Sequence, residues 1–283
     1  MNGHKQIVSR AIDLFPVKFV RDHFKGTITE IIQKHTAAEL NSFIYSNLGS
    51  TKQHVYLFTS DKTYAAMAPD KRNLPAGIEV MTEVALNNGM KWNCKIDVEY
   101  KVILNNPIAE VSVKFDQPVS ISFEDKHVIV QFTILERNIS KIVENRSVIQ
   151  SSRLVSEDII LNKIVEFLRT YCDLRINDVN KGIKKIWEED LIDSVKVEYK
   201  KNKSTATESM DGSYTLKEQY PEVYKELLKG PIEKTVFKYI IDNENFPEHF
   251  TANPSYGELS FVLYPKNPNQ VKNVIDKIIS SNR

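Results

Sequence analysis

Apolar positions recur at helical spacing in four stretches of the chain and at a spacing of two through much of its first half. Ile28, Ile31, Ile32, His35, Ala38, Phe43, Ile44 and Leu48 roughly follow one helical face, with Thr27 and Glu30 spaced as a capping box and Gly49 as a stop. This predicts a helix over 28–47. Ser156 stands ahead of Glu157 and Asp158, two acids suited to a helix dipole, and Ile160, Ile164, Phe167, Leu168 and Tyr171 predict a helix over 157–172. Val179, Ile183, Ile186, Trp187 and Leu191 predict another over 178–191, capped by Asn177 or Asp178. Near the end, Asn267 as cap and Pro268 at the first helical position lead into Val271, Val274, Ile275, Ile278 and Ile279.

Between 53 and 137 the period falls to two. Ile96, Val98, Tyr100 and Val102 alternate with Asp97, Glu99 and Lys101, and Val111, Val113 and Phe115 alternate with Ser112 and Lys114. Asn105-Asn106-Pro107, Asp116-Gln117-Pro118 and Glu124-Asp125-Lys126 punctuate these runs as turns. An antiparallel meander with strands over 91–104, 108–116, 118–124 and 127–136 follows, the first long enough to bend or bulge. Further on, 195–199 reads as a strand, and 201–213 has so few apolar residues that it reads as a mobile loop. A short helix over 216–229 ends at Gly230-Pro231, and 235–241 and 258–264 read as strands. The expected fold class is α+β: a helix plus antiparallel meander domain over 1–150, then a helix-rich α/β portion over 151–283.

Composition narrows the function classes. The 283 residues are 41% hydrophobic and 27% charged, as in ordinary globular chains. With 38 Lys+Arg against 37 Asp+Glu the net charge is +1, which excludes the overall basic excess of a dedicated nucleic-acid binder and leaves room for a local basic face. Cys94 and Cys172 have no partners at metal-ligand spacing, which fits a reducing compartment. Arg10, Asp13, Lys18, Arg21 and Asp22 interrupt the apolar residues of the first segment, so it does not read as a signal peptide; the expected location is cytoplasmic, with no membrane partner. Only 9 glycines occur, and neither a Gly-x-Ser-x-Gly elbow nor a Gly-Lys-[Ser/Thr] phosphate loop is present.

Candidate chemistry is sparse. On a strand, Asp97, Glu99 and Lys101 point the same way, so two carboxylates can hold a divalent cation while the lysine positions or activates a water. The arrangement resembles the acid-x-Lys element of the PD-(D/E)xK nucleases. The resemblance implies Glu99 and Lys101 as catalytic residues and Asp70, Asp97 and Glu99 as ligands of Mg2+, with Glu79 or Glu83 contributing from a preceding segment. A solvated strand face yields the same alternation, and Glu198-Tyr199-Lys200 repeats the triplet. The histidines His4, His23, His35, His54, His127 and His249 stand alone. Lys181, Lys184, Lys185, Lys196, Lys200, Lys201 and Lys203 form a local lysine cluster able to neutralise phosphates of a nucleic acid, diluted by Glu188, Glu189, Asp190, Asp193 and Glu198. Phe15, Val17, Phe19, Val20 and Phe24 either close the core or dock on a partner chain or a second copy.

With no cofactor constellation in evidence, the leading expectation is a non-catalytic binding or assembly protein acting through protein surfaces. It acts as an oligomer or as a subunit of a complex, for which a bacterial or phage assembly is a suitable setting. The alternatives are the metal-dependent nuclease and a nucleic-acid-binding protein using the lysine patch.

Overall fold

The computed structural model describes residue 8 and residues 10–105, 107–135, 147–201, 204–209, 214–240 and 244–282. Asn106, Glu136, Lys203, residues 210–213 and Ile241, on which expectations fell, lie outside them. The chain folds as two compact units, Met1–Thr51 with Ser60–Leu174, and Lys52–Thr59 with Arg175–Arg283. Each is built of helices and antiparallel strands, the α+β class that the change of period indicates.

The first unit begins with helices α1 (Val17–Phe24), α2 (Ile28–Lys34) and α3 (Ala37–Ser46). The Thr27 hydroxyl accepts from the Glu30 N–H at 3.3 Å while the Glu30 carboxylate accepts from the Thr27 N–H at 2.9 Å. The same box recurs at Thr36 and Glu39, at 3.2 and 2.7 Å. The single helix expected over 28–47 is therefore two helices: His35 is extended (φ −95°, ψ 148°) and Thr36 starts a second one. Phe15, Val20, Ile31, Leu40, Phe43 and Ile44 are buried together, and the rings of Phe15, Phe19 and Phe24 lie 4.9–5.7 Å from that of Phe43. The first segment thus closes the core of its own unit.

Strand β1 (Gln53–Ser60), most of it in the second unit, and the short helix α4 (Tyr64–Met67) come next in the chain. The strands of the first unit are β2 (Ile78–Leu86), β3 (Gly89–Leu104), β4 (Ala109–Glu124), β5 (His127–Thr133) and β6 (Val148–Arg153). They run β2–β3–β4–β5, with β6 also on β3. β2 pairs residues 89–96 of β3 and β6 pairs residues 100–104, so the two share one flank of the long strand.

The strands expected over 108–116 and 118–124 are one continuous strand. Asp116 and Gln117, read as turn residues, are buried, and the Gln117 amide donates to the Thr133 carbonyl at 2.8 Å while its oxygen accepts from Arg153 at 2.7 Å. Pro118 stands just past the last β4–β5 pair, Val119↔Phe132, so its missing N–H removes nothing from that ladder. Helix α5 (Glu157–Arg169) follows, with the Ser156 hydroxyl accepting from the Ile159 N–H as expected.

The second unit adds β7 (Leu174–Ile176), helix α6 (Asn180–Glu188), β8 (Ile192–Lys201) and β9 (Ser204–Ser209). Helices α7 (Leu216–Gln219) and α8 (Pro221–Lys229), strands β10 (Thr235–Tyr239), β11 (His249–Asn253) and β12 (Glu258–Phe261), and helix α9 (Gln270–Ser281) complete it. Its strands run β1–β12–β11–β10–β8–β9, and β7 pairs β1. Pro221 at the first position of α8 splits the helix expected over 216–229. Within the stretch read as a mobile loop, 204–209 instead forms β9, paired with β8 from Lys196↔Ser209 to Lys201↔Ser204. An edge strand needs no apolar face, and Thr205 and Thr207 supply the branched side chains that suit it. Phe237, Phe250 and Phe261 stack in a buried row, so the aromatics of 235–264 include a packed core.

Thr36→Ala removes the second capping box and is expected to destabilise the first unit by about 1 kcal/mol in denaturant unfolding. Burial, reinforced by the Glu83 charge, pushes the Cys94 thiol up to about 12. Cys94 is therefore expected to resist thiol reagents at pH 8 in the folded protein and to react fully in denaturant.

Candidate functional site

Helix α6 carries the densest basic surface that the lysine expectation named. Its sequence, NKGIKKIWE, buries Asn180, Gly182, Ile183, Ile186 and Trp187. Lys181, Lys184, Lys185 and Glu188 are left on the opposite face, at spacings of three, four and seven. The helix is seated against α9 by a close approach: a Cβ placed on Gly182 would lie 2.4 Å from the Ile278 carbonyl oxygen. Asn282, just past α9, fixes the same junction. Its side-chain oxygen accepts from the Gly182 N–H at 2.9 Å and its amide donates to the Asp178 carbonyl at 2.9 Å.

An open cleft of about 650 Å³ lies along this face, lined by Asp178, Asn180, Lys181, Lys184, Lys185, Glu188 and Asn282. Asn180 is saturated: its amide donates to Asp178 at 2.7 Å and Ser255 at 2.9 Å, and its oxygen accepts from the Ile232 N–H at 2.8 Å. The ammonium groups of Lys184 and Lys185 make no ion pair among the described residues. Partial burial lowers the Lys184 pKa, and the charges of Asp178 and Glu188 act in the opposite direction without cancelling it.

Of the other lysines, Lys200 and Lys201 belong to β8 and Lys203 is outside the described residues. Lys196 pairs with Glu198 at 3.3 Å. Three of the seven lysines of the expected cluster, Lys181, Lys184 and Lys185, therefore share one cleft. Asp178, Asn180, Glu188 and Asn282 join them there. Of these, Asn282 is about a hundred residues away in sequence, and only the docking of α9 on α6 brings it in.

The acid-x-Lys triplet lies where alternation placed it, on the solvent side of β3 between buried Ile96, Val98 and Val102. Its charges are answered within the sheet. Lys101 Nζ is 3.1 Å from Glu110, Asp97 is 3.7 Å from Lys95, and Glu99 accepts a hydrogen bond from Ser112. Asp70 faces Arg72 at 2.7 Å, and the hydrogen bonds from the Arg72 side chain and backbone hold its carboxyl down to about 2. Glu79 pairs with Lys95 at 3.2 Å and Glu83 with Lys71. Among the described residues no three His, Cys, Asp or Glu side chains are gathered to hold a metal ion, Asp70, Asp97 and Glu99 included. His35 rests against the Phe24 ring, 3.7 Å from Glu39.

Gly182→Ala improves helix propensity yet places a methyl group against the Ile278 carbonyl. The expected result is a loss of roughly 1–3 kcal/mol in thermal or denaturant unfolding, in place of the small gain that an exposed helical site would give. Compared with family models, with curated proteins and with solved structures, the chain matches none.

Proposed function

We propose that this protein is a non-catalytic assembly protein of a reducing, cytoplasmic setting, and that it associates with a second copy of itself through strand β6. The observation that carries this reading is the exposure of β6. Ile149, Gln150, Ser151 and Ser152 are four consecutive exposed residues, so both faces of the strand are open to solvent. Its inner edge pairs β3, and among the described residues no strand pairs its outer edge. Such an edge offers a row of backbone donors and acceptors to another strand. Apolar residues surround it: Ile149 is 57% exposed, Ile108 at the adjacent β3–β4 tip is 80% exposed, and Leu154 and Val155 follow the strand in the open.

The charge pattern favours a second copy as the occupant. The strand carries one charged residue, Arg153, which is turned back onto the Val155 carbonyl and the Gln117 side chain, both at 2.7 Å. Antiparallel self-pairing centred on Ser151 sets Gln150 opposite Ser152 and Ile149 opposite Arg153. No like charges meet, and a two-fold axis generates the pairing. The edge strand of the second unit, β9, is less suited: residues 205–209 alternate between exposed and half-buried, and it carries Glu208. Two free, buried cysteines support the reducing setting. Among the described residues, no helix is long and apolar enough to cross a membrane.

Light scattering behind a sizing column reads the association directly. Wild type is expected to run as a dimer at micromolar concentration. Ile149→Lys and Ser151→Lys, which place ammonium groups on the open edge, are expected to weaken association by at least tenfold while leaving folding stability within about 0.5 kcal/mol. A monomeric wild type, or lysine variants that associate as the wild type does, would overturn the reading.

A further inference from the structure

The α6 cleft belongs to the second unit and strand β6 to the first. Three ammonium groups lie on one face of a helix that α9 and Asn282 hold in place. Lys184 and Lys185 make no ion pair among the described residues, so their charges are available to an incoming anion. The row is closed at both ends. Asp178 stands before the first lysine and Glu188 one turn after the last, so a long polyanion tracking along α6 would meet a carboxylate at either end. No aromatic side chain lines the cleft, which leaves nothing for bases to stack on. These features disfavour the nucleic-acid strand that a bare count of lysines suggests and favour a compact anion.

The same carboxylates have a use toward a small ligand. Lysine is a point-charge partner for phosphate, and a carboxylate oxygen accepts hydrogen bonds from hydroxyl groups. Lys184 and Lys185, adjacent on the helix, present two ammonium groups to the dianion of a phosphomonoester. The cleft is open to solvent and, at about 650 Å³, has room for a ligand of this size. We propose that this cleft binds a small phosphorylated polyol, a sugar phosphate, with its phosphate on Lys184 and Lys185 and its hydroxyls on Asp178 and Glu188.

Calorimetric titration of the full chain tests this with four probes: ribose 5-phosphate, inorganic phosphate, ribose, and a twelve-nucleotide single strand. Ribose 5-phosphate is expected to bind saturably and more tightly than phosphate or ribose. Lys184→Met keeps the side-chain stem and is expected to weaken it roughly tenfold. Lys185→Gln, at an exposed position, is expected to do the same, which keeps the test valid if Lys184→Met lowers the melting temperature. Glu188→Gln is expected to narrow the advantage of ribose 5-phosphate over inorganic phosphate. Lys225→Met, on α8 outside the cleft, is expected to change nothing. Absence of saturable ribose 5-phosphate binding, or binding untouched by both lysine variants, would overturn the proposal. Tighter binding of the oligonucleotide that is lost in the same variants would overturn it in favour of a polymer site.

Discussion

One uninterrupted ladder, from Gly89↔Glu124 to Leu104↔Ala109, organises the first unit. Sixteen residues on each strand extend over roughly 50 Å, nearly three times the length of an ordinary strand. No single neighbour covers such a strand. β2 takes one half of β3 and β6 part of the other half, while β5 takes only the Val119–Glu124 end of β4. Trp92 and Phe123 meet in the β2–β5 half, their ring centroids 5.0 Å apart, while in the other half Val98, Val102 and Phe115 are buried on one face and Asp97, Glu99 and Lys101 lie on the opposite one. The exposed position of β6 is a consequence of hairpin length. It covers a stretch of β3 that β2 does not reach, and the described residues extend the sheet no further on that side.

The second unit is held by a different constraint, the close approach of two helices. Gly182 allows α6 to meet the end of α9, and the Asn282 side chain then satisfies a Gly182 N–H that has no partner within the first turn of its helix. Anchoring one face of α6 this firmly fixes the opposite face, so Lys181, Lys184 and Lys185 are displayed on rigid backbone. Neither unit gathers its candidate chemistry by chance of composition. Each does so because a buried contact leaves one polar face with nowhere to go but outward.

Much of this was legible in the residues themselves. Thr27 and Glu30 marked a true helix start, Ser156 another, and the alternation through 96–102 placed Asp97, Glu99 and Lys101 on one face. Failures came where a local signal had two meanings. Thr36-x-x-Glu39 is as good a capping box as Thr27-x-x-Glu30, yet it lay inside a run of apolar residues at helical spacing and was absorbed into one helix. Asp116-Gln117-Pro118 has the composition of a turn, but the hydrogen bonds that bury Gln117 come from Thr133 and Arg153, which adjacent sequence does not reveal. β9 was hidden because an exposed edge strand can be built from Ser and Thr without apolar alternation. The cleft was half visible, since helical spacing puts three lysines together. Asn282 and the seat at Gly182 are tertiary facts.

The central claim is that β6 is an incomplete edge which a second copy completes. Amide hydrogen exchange at residues 148–153, followed as a function of protein concentration, tests it most directly. The account predicts that these amides become more protected as concentration rises from nanomolar to tens of micromolar, while amides in the centre of the β3–β4 ladder stay protected throughout. Exchange at 148–153 that is independent of concentration would contradict the account, whether the segment is fast at all concentrations or already protected at the lowest.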